Sequence, residues 1–101
     1  MKVEGVNRKR SEDRSKVIKA LAHPSRILLA EALSEKECCV QDLTELVGSD
    51  ISTVSKHLAV MKNAGLVVAR KEGLRQYYRI CCGCLTDFFG CVDQIAESAP
   101  D

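Results

Sequence analysis

A mainly α-helical domain completed by one β-hairpin is the fold class this sequence predicts, and three observations between residues 40 and 80 predict it. Val40-Gln41-Asp42-Leu43-Thr44-Glu45-Leu46-Val47-Gly48 sets apolar residues at helical spacing and ends in a glycine suited to the left-handed conformation that stops a helix. Asp50 can cap a second helix on which Ile51, Val54, Leu58 and Met61 form one apolar stripe. Leu66 to Arg70 and Leu74 to Ile80 then read as two strands around a Glu72-Gly73 turn. Two helices joined by a tight turn and followed by a hairpin make a helix-turn-helix with a wing, an α+β arrangement.

The second helix of that pair has the face that a major-groove helix needs. With about 100° between successive residues, Ser52, Thr53, Lys56 and Asn63 lie opposite the apolar stripe, and Ser55 and His57 flank it. Arg70, Lys71 and Arg75 fall at or near the hairpin tip. The candidate DNA contacts are therefore Ser52, Thr53, Ser55, Lys56, His57, Arg70, Lys71 and Arg75. The formal net charge of +1 conceals a segregation that supports them. Residues 51 to 79 hold six Lys or Arg against one acidic residue, while 21 to 50 hold two against six and 80 to 101 none against four. Phosphate attraction needs only a local patch, so a near-neutral total does not argue against nucleic acid. A charge run alone usually marks a solvated surface, but here it coincides with a groove-sized helix and a hairpin tip.

The remaining elements follow in order. Residues 1 to 14 offer almost nothing to bury and read as a flexible polar tail. Residues 15 to 98 form the domain. Helix is expected to begin near Ser15, with Val17, Ile18 and Leu21 at helical spacing, and to break at His23-Pro24. Pro24 suits the first turn of the next helix, Ser25 to Leu33, and Ser34 to Cys39 reads as a short connection. A last helix from Cys82 to Ser98 carries Leu85, Phe88, Phe89, Val92 and Ile95 in one stripe, ahead of Pro100. The 101 residues, 46% hydrophobic, suffice for one core and not two. The stripes of the first and last helices either close that core or are shared between two subunits, and a two-fold homodimer would match a palindromic operator. There is no run of about eighteen apolar residues to span a membrane. The N-terminal stretch is too charged for a signal peptide, so a cytoplasmic protein is expected.

Four motifs resemble one family. Lys19-Ala20-Leu21-Ala22-His23-Pro24-Ser25-Arg26-Ile27-Leu28, Ser52-Thr53-Val54-Ser55-Lys56-His57-Leu58, Ala64-Gly65-Leu66-Val67 and Glu72-Gly73-Leu74-Arg75-Gln76-Tyr77-Tyr78 look like those of the ArsR/SmtB metal-sensing repressors, over residues 15 to 97. The resemblance implies a winged-helix homodimer that sits on double-stranded operator DNA when empty and leaves when an inducer binds. Ile51 departs from the family, which often has a polar residue at this helix start, and is expected to pack inward. Glu37-Cys38-Cys39-Val40-Gln41-Asp42-Leu43 looks like the arsenical-repressor segment, although that segment usually spaces its cysteines one residue apart.

Six cysteines exceed what packing needs in a reducing compartment, where structural disulfides are not expected. Soft-metal binding or thiol redox chemistry becomes the leading account. Cys38 and Cys39 precede the helix-turn-helix, and Cys81, Cys82 and Cys84 follow the hairpin at a helix N-terminus, whose N–H groups favour thiolate. These five are the candidate ligands. Cys91 lies on the stripe with Phe88 and Ile95 and reads equally as apolar filler. With only His23 and His57 to supply nitrogen, and no histidine on the last helix, a nitrogen-rich zinc or nickel site is poorly provided. Trivalent arsenic or antimony, taking three thiolates, fits best as inducer, with cadmium, lead or four-cysteine zinc next. No organic cofactor is expected.

Three other readings compete. Two thiols oxidised to a disulfide or polysulfide would give a redox- or persulfide-responsive repressor of the same fold. A winged-helix module that binds protein would not need Lys56 and Arg75 for nucleic-acid affinity. An enzyme is disfavoured, because no nucleophile-base pairing or phosphate loop marks a catalytic pocket, and a Cys81/Cys84 oxidoreductase would need a different fold.

Overall fold

A computed structural model describes residues 3–100 and has the predicted class. Its elements run α1 (Arg8–Leu21), α2 (Pro24–Glu35), β1 (Cys38–Cys39), α3 (Val40–Val47), α4 (Ile51–Asn63), β2 (Val67–Glu72), β3 (Arg75–Ile80) and α5 (Leu85–Ser98). Helix α3 ends where Gly48 adopts φ 77°, and α4 begins where the Asp50 carboxylate accepts the Thr53 N–H at 2.7 Å. That bond, which stabilises the charged carboxylate, is the first cause of a lowered Asp50 pKa.

The core sits where α2, α3 and α4 meet the sheet. Leu29, Leu43, Val54, Leu58 and Met61 are almost wholly shielded from water, and Leu33, Leu66, Val67 and Tyr78 extend the cluster. Each such aliphatic side chain contributes roughly 1.5–3 kcal/mol relative to an exposed one, so these positions fix α4 against the rest of the domain.

Several boundaries differ from expectation. Helix α1 starts at Arg8 rather than near Ser15: the Asn7 side chain accepts the Arg10 N–H at 2.8 Å, and Lys9 pairs with Asp13 at 2.7 Å. Polar residues that bury nothing can still be helical when capped and paired at i,i+4. Residues 8–14 of the tail expected over residues 1 to 14 are therefore helix, while its Met1 and Lys2 lie outside the described residues. The connection before α3 holds a strand, β1, whose Cys38 and Cys39 stand opposite Tyr78 and Tyr77 of β3, giving an antiparallel sheet in the order β1-β3-β2. The hairpin turns at Gly73-Leu74, one residue later than expected, with Glu72 opposite Arg75. Only Gly73 there has positive φ, the first-position requirement of a tight two-residue turn. Ile51 is 52% exposed and does not pack inward, because as the first residue of α4 it stands beyond the core. Helix α5 begins at Leu85, three residues after the expected Cys82.

Helices α1 and α5 leave an apolar face open. Leu85 and Phe89 touch the core, but no residue of α5 is buried, and Ile18, Phe88, Val92 and Ile95 are all exposed. Between the two helices runs a groove of about 350 Å³ lined by Arg14, Val17, Ile18, Leu21, Leu85 and Phe88.

Candidate DNA-binding face and thiol clusters

Ser52, Ser55 and Lys56 stand exposed on α4, with Thr53 partly covered, and Lys71 and Arg75 are exposed at the wing tip. The same α4 turns Val54, Leu58 and Met61 into the core, so its burial pattern divides the helix into a packed and a free side. Ser52 donates its hydroxyl to Asp50 at 2.9 Å, which ties it to the helix cap. A free helix face about one groove wide, bearing short hydroxyls and one Lys, beside a basic hairpin, can meet base edges and phosphates at once.

Two of the eight predicted contacts are engaged elsewhere. Arg70 forms a fork with Glu37, its Nη2 donating to Oε1 at 2.6 Å and its Nε to Oε2 at 3.0 Å. Its Nη1 also donates to Glu72 at 3.2 Å, and its guanidinium lies 4.7 Å from the Tyr77 ring centroid. The hydrogen bond from Arg70 holds the Glu37 carboxyl below its usual range, and Glu37 in turn raises Arg70. This pair ties β2 to the residue before β1. His57 accepts at Nδ1 from Nε of Arg26 on α2 at 3.1 Å. Neither partner was legible from sequence, since Glu37 and Arg26 lie 33 and 31 residues from the groups they meet.

The cysteines fall into two environments. Cys38 and Cys39 are buried in β1, and the Cys38 thiol donates to the Lys36 carbonyl at 3.4 Å. Burial pushes the Cys38 thiol up, away from the thiolate that binds soft ions. Cys81, Cys82 and Cys84 are exposed in the turn between β3 and α5, and Cys91 is exposed on α5. Hydrogen bonding from the Cys84 side chain and backbone lowers Cys82, while Cys84 is raised by Cys82, so of this pair Cys82 holds the anion more readily. Within one chain the five predicted ligands are not gathered: among the described residues no three His, Cys, Asp or Glu side chains are placed to hold one ion.

Fold and face together define a winged-helix DNA-binding regulator. Residues 23–68 match the family model described as bacterial regulatory protein, arsR family. The chain is 36% identical over 83 residues to the HTH-type transcriptional regulator Rv0324 of Mycobacterium tuberculosis, which covers 82% of this chain and 37% of the relative. To the cadmium resistance transcriptional regulatory protein CadC homolog of Staphylococcus aureus it is 42% identical over 69 residues, 67% of this chain and 57% of that one. The HTH-type regulator MJ1325 of Methanocaldococcus jannaschii is 31% identical, with 83% of this chain and 96% of that protein aligned. Among solved structures, the winged helix-turn-helix domain of Mb0332 from Mycobacterium bovis, described as homodimeric, superposes with a TM-score of 0.75 at 32% identity, over 94% of this chain and 91% of that one. The chain belongs to the arsR family of bacterial regulatory proteins, and the relatives it matches are described as transcriptional regulators. It spans little more than a third of Rv0324 and little more than half of the CadC homolog. Among the described residues no helix is long and apolar enough to cross a membrane.

Proposed function

We propose that this chain is a cytoplasmic, homodimeric transcriptional repressor that binds double-stranded operator DNA through α4 and the wing and is released by a thiophilic inducer. The observation that carries the DNA-binding part is the division of α4, whose core side is fully packed while Ser52, Ser55 and Lys56 stay exposed beside Lys71 and Arg75. Pairing is supported by α5, which buries no residue in its own chain although it carries an apolar stripe, and by the homodimeric description of the Mb0332 domain.

The inducer reading rests on Cys81, Cys82 and Cys84, three exposed thiols within four residues of one turn. Trivalent arsenic or antimony would take all three; cadmium, lead and zinc are the other soft ions such a set can serve. The cadmium-resistance name of one relative supports a soft metal. Cys38 and Cys39 serve a metal less readily as they stand, because both are buried. One observation favours a second reading: Cys82 and Cys84 lie near enough in the turn for each thiol to shift the other's pKa, and two-thiol chemistry needs no third donor. Oxidation of that pair to a disulfide or polysulfide would make the same repressor redox- or persulfide-responsive.

The experiment is release of bound DNA from reduced protein by arsenite, cadmium or a persulfide donor. Release by arsenite or cadmium supports the metal reading, and release by the persulfide donor alone supports the second. If none displaces the protein, cysteine-based induction is wrong.

A further inference from the structure

His57 belongs to the helix proposed to enter the groove, yet its ring is committed to a contact within the domain. Its Nδ1 accepts from Nε of Arg26 at 3.1 Å, and Arg26 also reaches the Ala20 carbonyl near the end of α1 at 3.5 Å. The His23 ring stands 4.4 Å from that of His57, tilted by 48°, with its own Nδ1 accepting the Ser25 N–H at 3.1 Å as the cap of α2. An imidazole nitrogen that accepts carries no proton. One permanent cation and two rings acting as acceptors therefore hold the junction of α1, α2 and α4. The charged groups acting on His57 are His23 and Arg26, and no carboxylate opposes them from these helices or from α3 and β2, which also pack on α4.

We propose that His57 is a positioning residue for DNA recognition: unprotonated, it fixes α4 against α2 through Arg26, and its protonation frees α4, so that operator affinity falls in mild acid. The inference rests on the operator-binding reading above. A proton on Nδ1 would replace the acceptor with a second donor facing the guanidinium. That removes the bond and sets two cations side by side. Burial, followed by His23 and Arg26, already lowers the His57 pKa. The unprotonated bond thus contributes fully above the unfolded value of about 6.5 and is lost as pH falls through the lower folded value. A histidine that touched phosphate would behave oppositely, because acid would add a charge-assisted bond and tighten binding.

The probe is a short duplex enriched from a random pool by the wild-type protein at about pH 7.5, with affinity then followed at constant ionic strength down to about pH 5.5. Affinity should fall, approaching about tenfold per pH unit below the His57 titration, as expected when the complex excludes one proton. His57→Asn places an amide oxygen where Nδ1 stood and takes no proton, so it should lose that slope. NMR titration of the two imidazoles, assigned with whichever single His→Asn variant folds, should show His57 titrating at lower pH with DNA bound than without. Affinity that rises in acid, a His57 titration that moves up on binding, or a slope that persists in His57→Asn would each overturn the proposal. Failure to enrich any duplex would instead sink the operator-binding reading, and this inference with it.

Discussion

Lys56 and Arg75 differ from Arg70 in one respect that decides their roles: neither has an ion-pair partner among the described residues, whereas Arg70 is held by Glu37 and Glu72. Replacing Lys56 or Arg75 with Ala should weaken binding to all sequences and flatten the salt dependence by about one unit each, if each meets one phosphate. A titration against salt checks this, and an unchanged slope in the double variant would remove both from the interface. Changes at Ser52 or Ser55 should act more on sequence preference. A second expectation concerns thiols. Cys82 should be alkylated faster than the buried Cys38 at neutral pH, and Cys84→Ala should move the pH profile of Cys82 alkylation upward, because the hydrogen bonds that steady the thiolate are weakened. Mass spectrometry of peptides after a short iodoacetamide pulse reads both.

The elements of the DNA-reading unit were legible because each carries its own local signal. Asp50 announced α4, Gly48 the end of α3, and an apolar stripe one side of α4. Leu58, which anchors that side, is 0% exposed, and Leu58→Ala should cost about 2–5 kcal/mol of stability, measurable by urea denaturation. Strand β1 was not legible. Two residues cannot display a period of two, and Cys38-Cys39 gains its strand character only from Tyr77 and Tyr78, some forty residues away. The start of α1 was missed for a related reason: apolar periodicity says nothing about a polar helix held by a cap and an i,i+4 pair. The intramolecular partners of Arg70 and His57 were hidden in the same way, since Glu37 and Arg26 come from distant elements. The Arg70–Glu37 pair fastens the wing to the strand of buried cysteines, and Glu37→Gln should accelerate amide exchange in β2. Because the folded Glu37 pKa is lowered, the wing should loosen in the same way as pH falls through the carboxylate range. An unchanged exchange pattern would show that the sheet alone holds the wing.

At the scale of the whole molecule, the two thiol clusters bracket the DNA-reading unit, Cys38-Cys39 leading into α3 and Cys81-Cys82-Cys84 leaving β3. A ligand that releases DNA must bind the released form more tightly, by roughly 1–3 kcal/mol. Replacing Cys81, Cys82 and Cys84 with Ser should leave DNA binding intact and abolish or weaken release. Replacing Cys38 and Cys39 tests whether the buried pair takes part, with Cys91 expected to matter least. If the protein with all six changed were still displaced by arsenite, antimonite and cadmium, thiol sensing would be wrong. Cutting the chain after Arg79 removes the stripe of α5 and should abolish pairing in sedimentation; a truncated chain that still paired would refute the role given to that helix. A helix that buries none of its residues within its own chain also makes the protein a gauge of its own abundance. In the proposed pair, the open face of α5 is covered only when a second copy is at hand, so the active species grows faster than the supply of chains. A cell whose stock has been diluted by growth would then see its target promoters open further than the dilution alone accounts for, before any inducer has arrived.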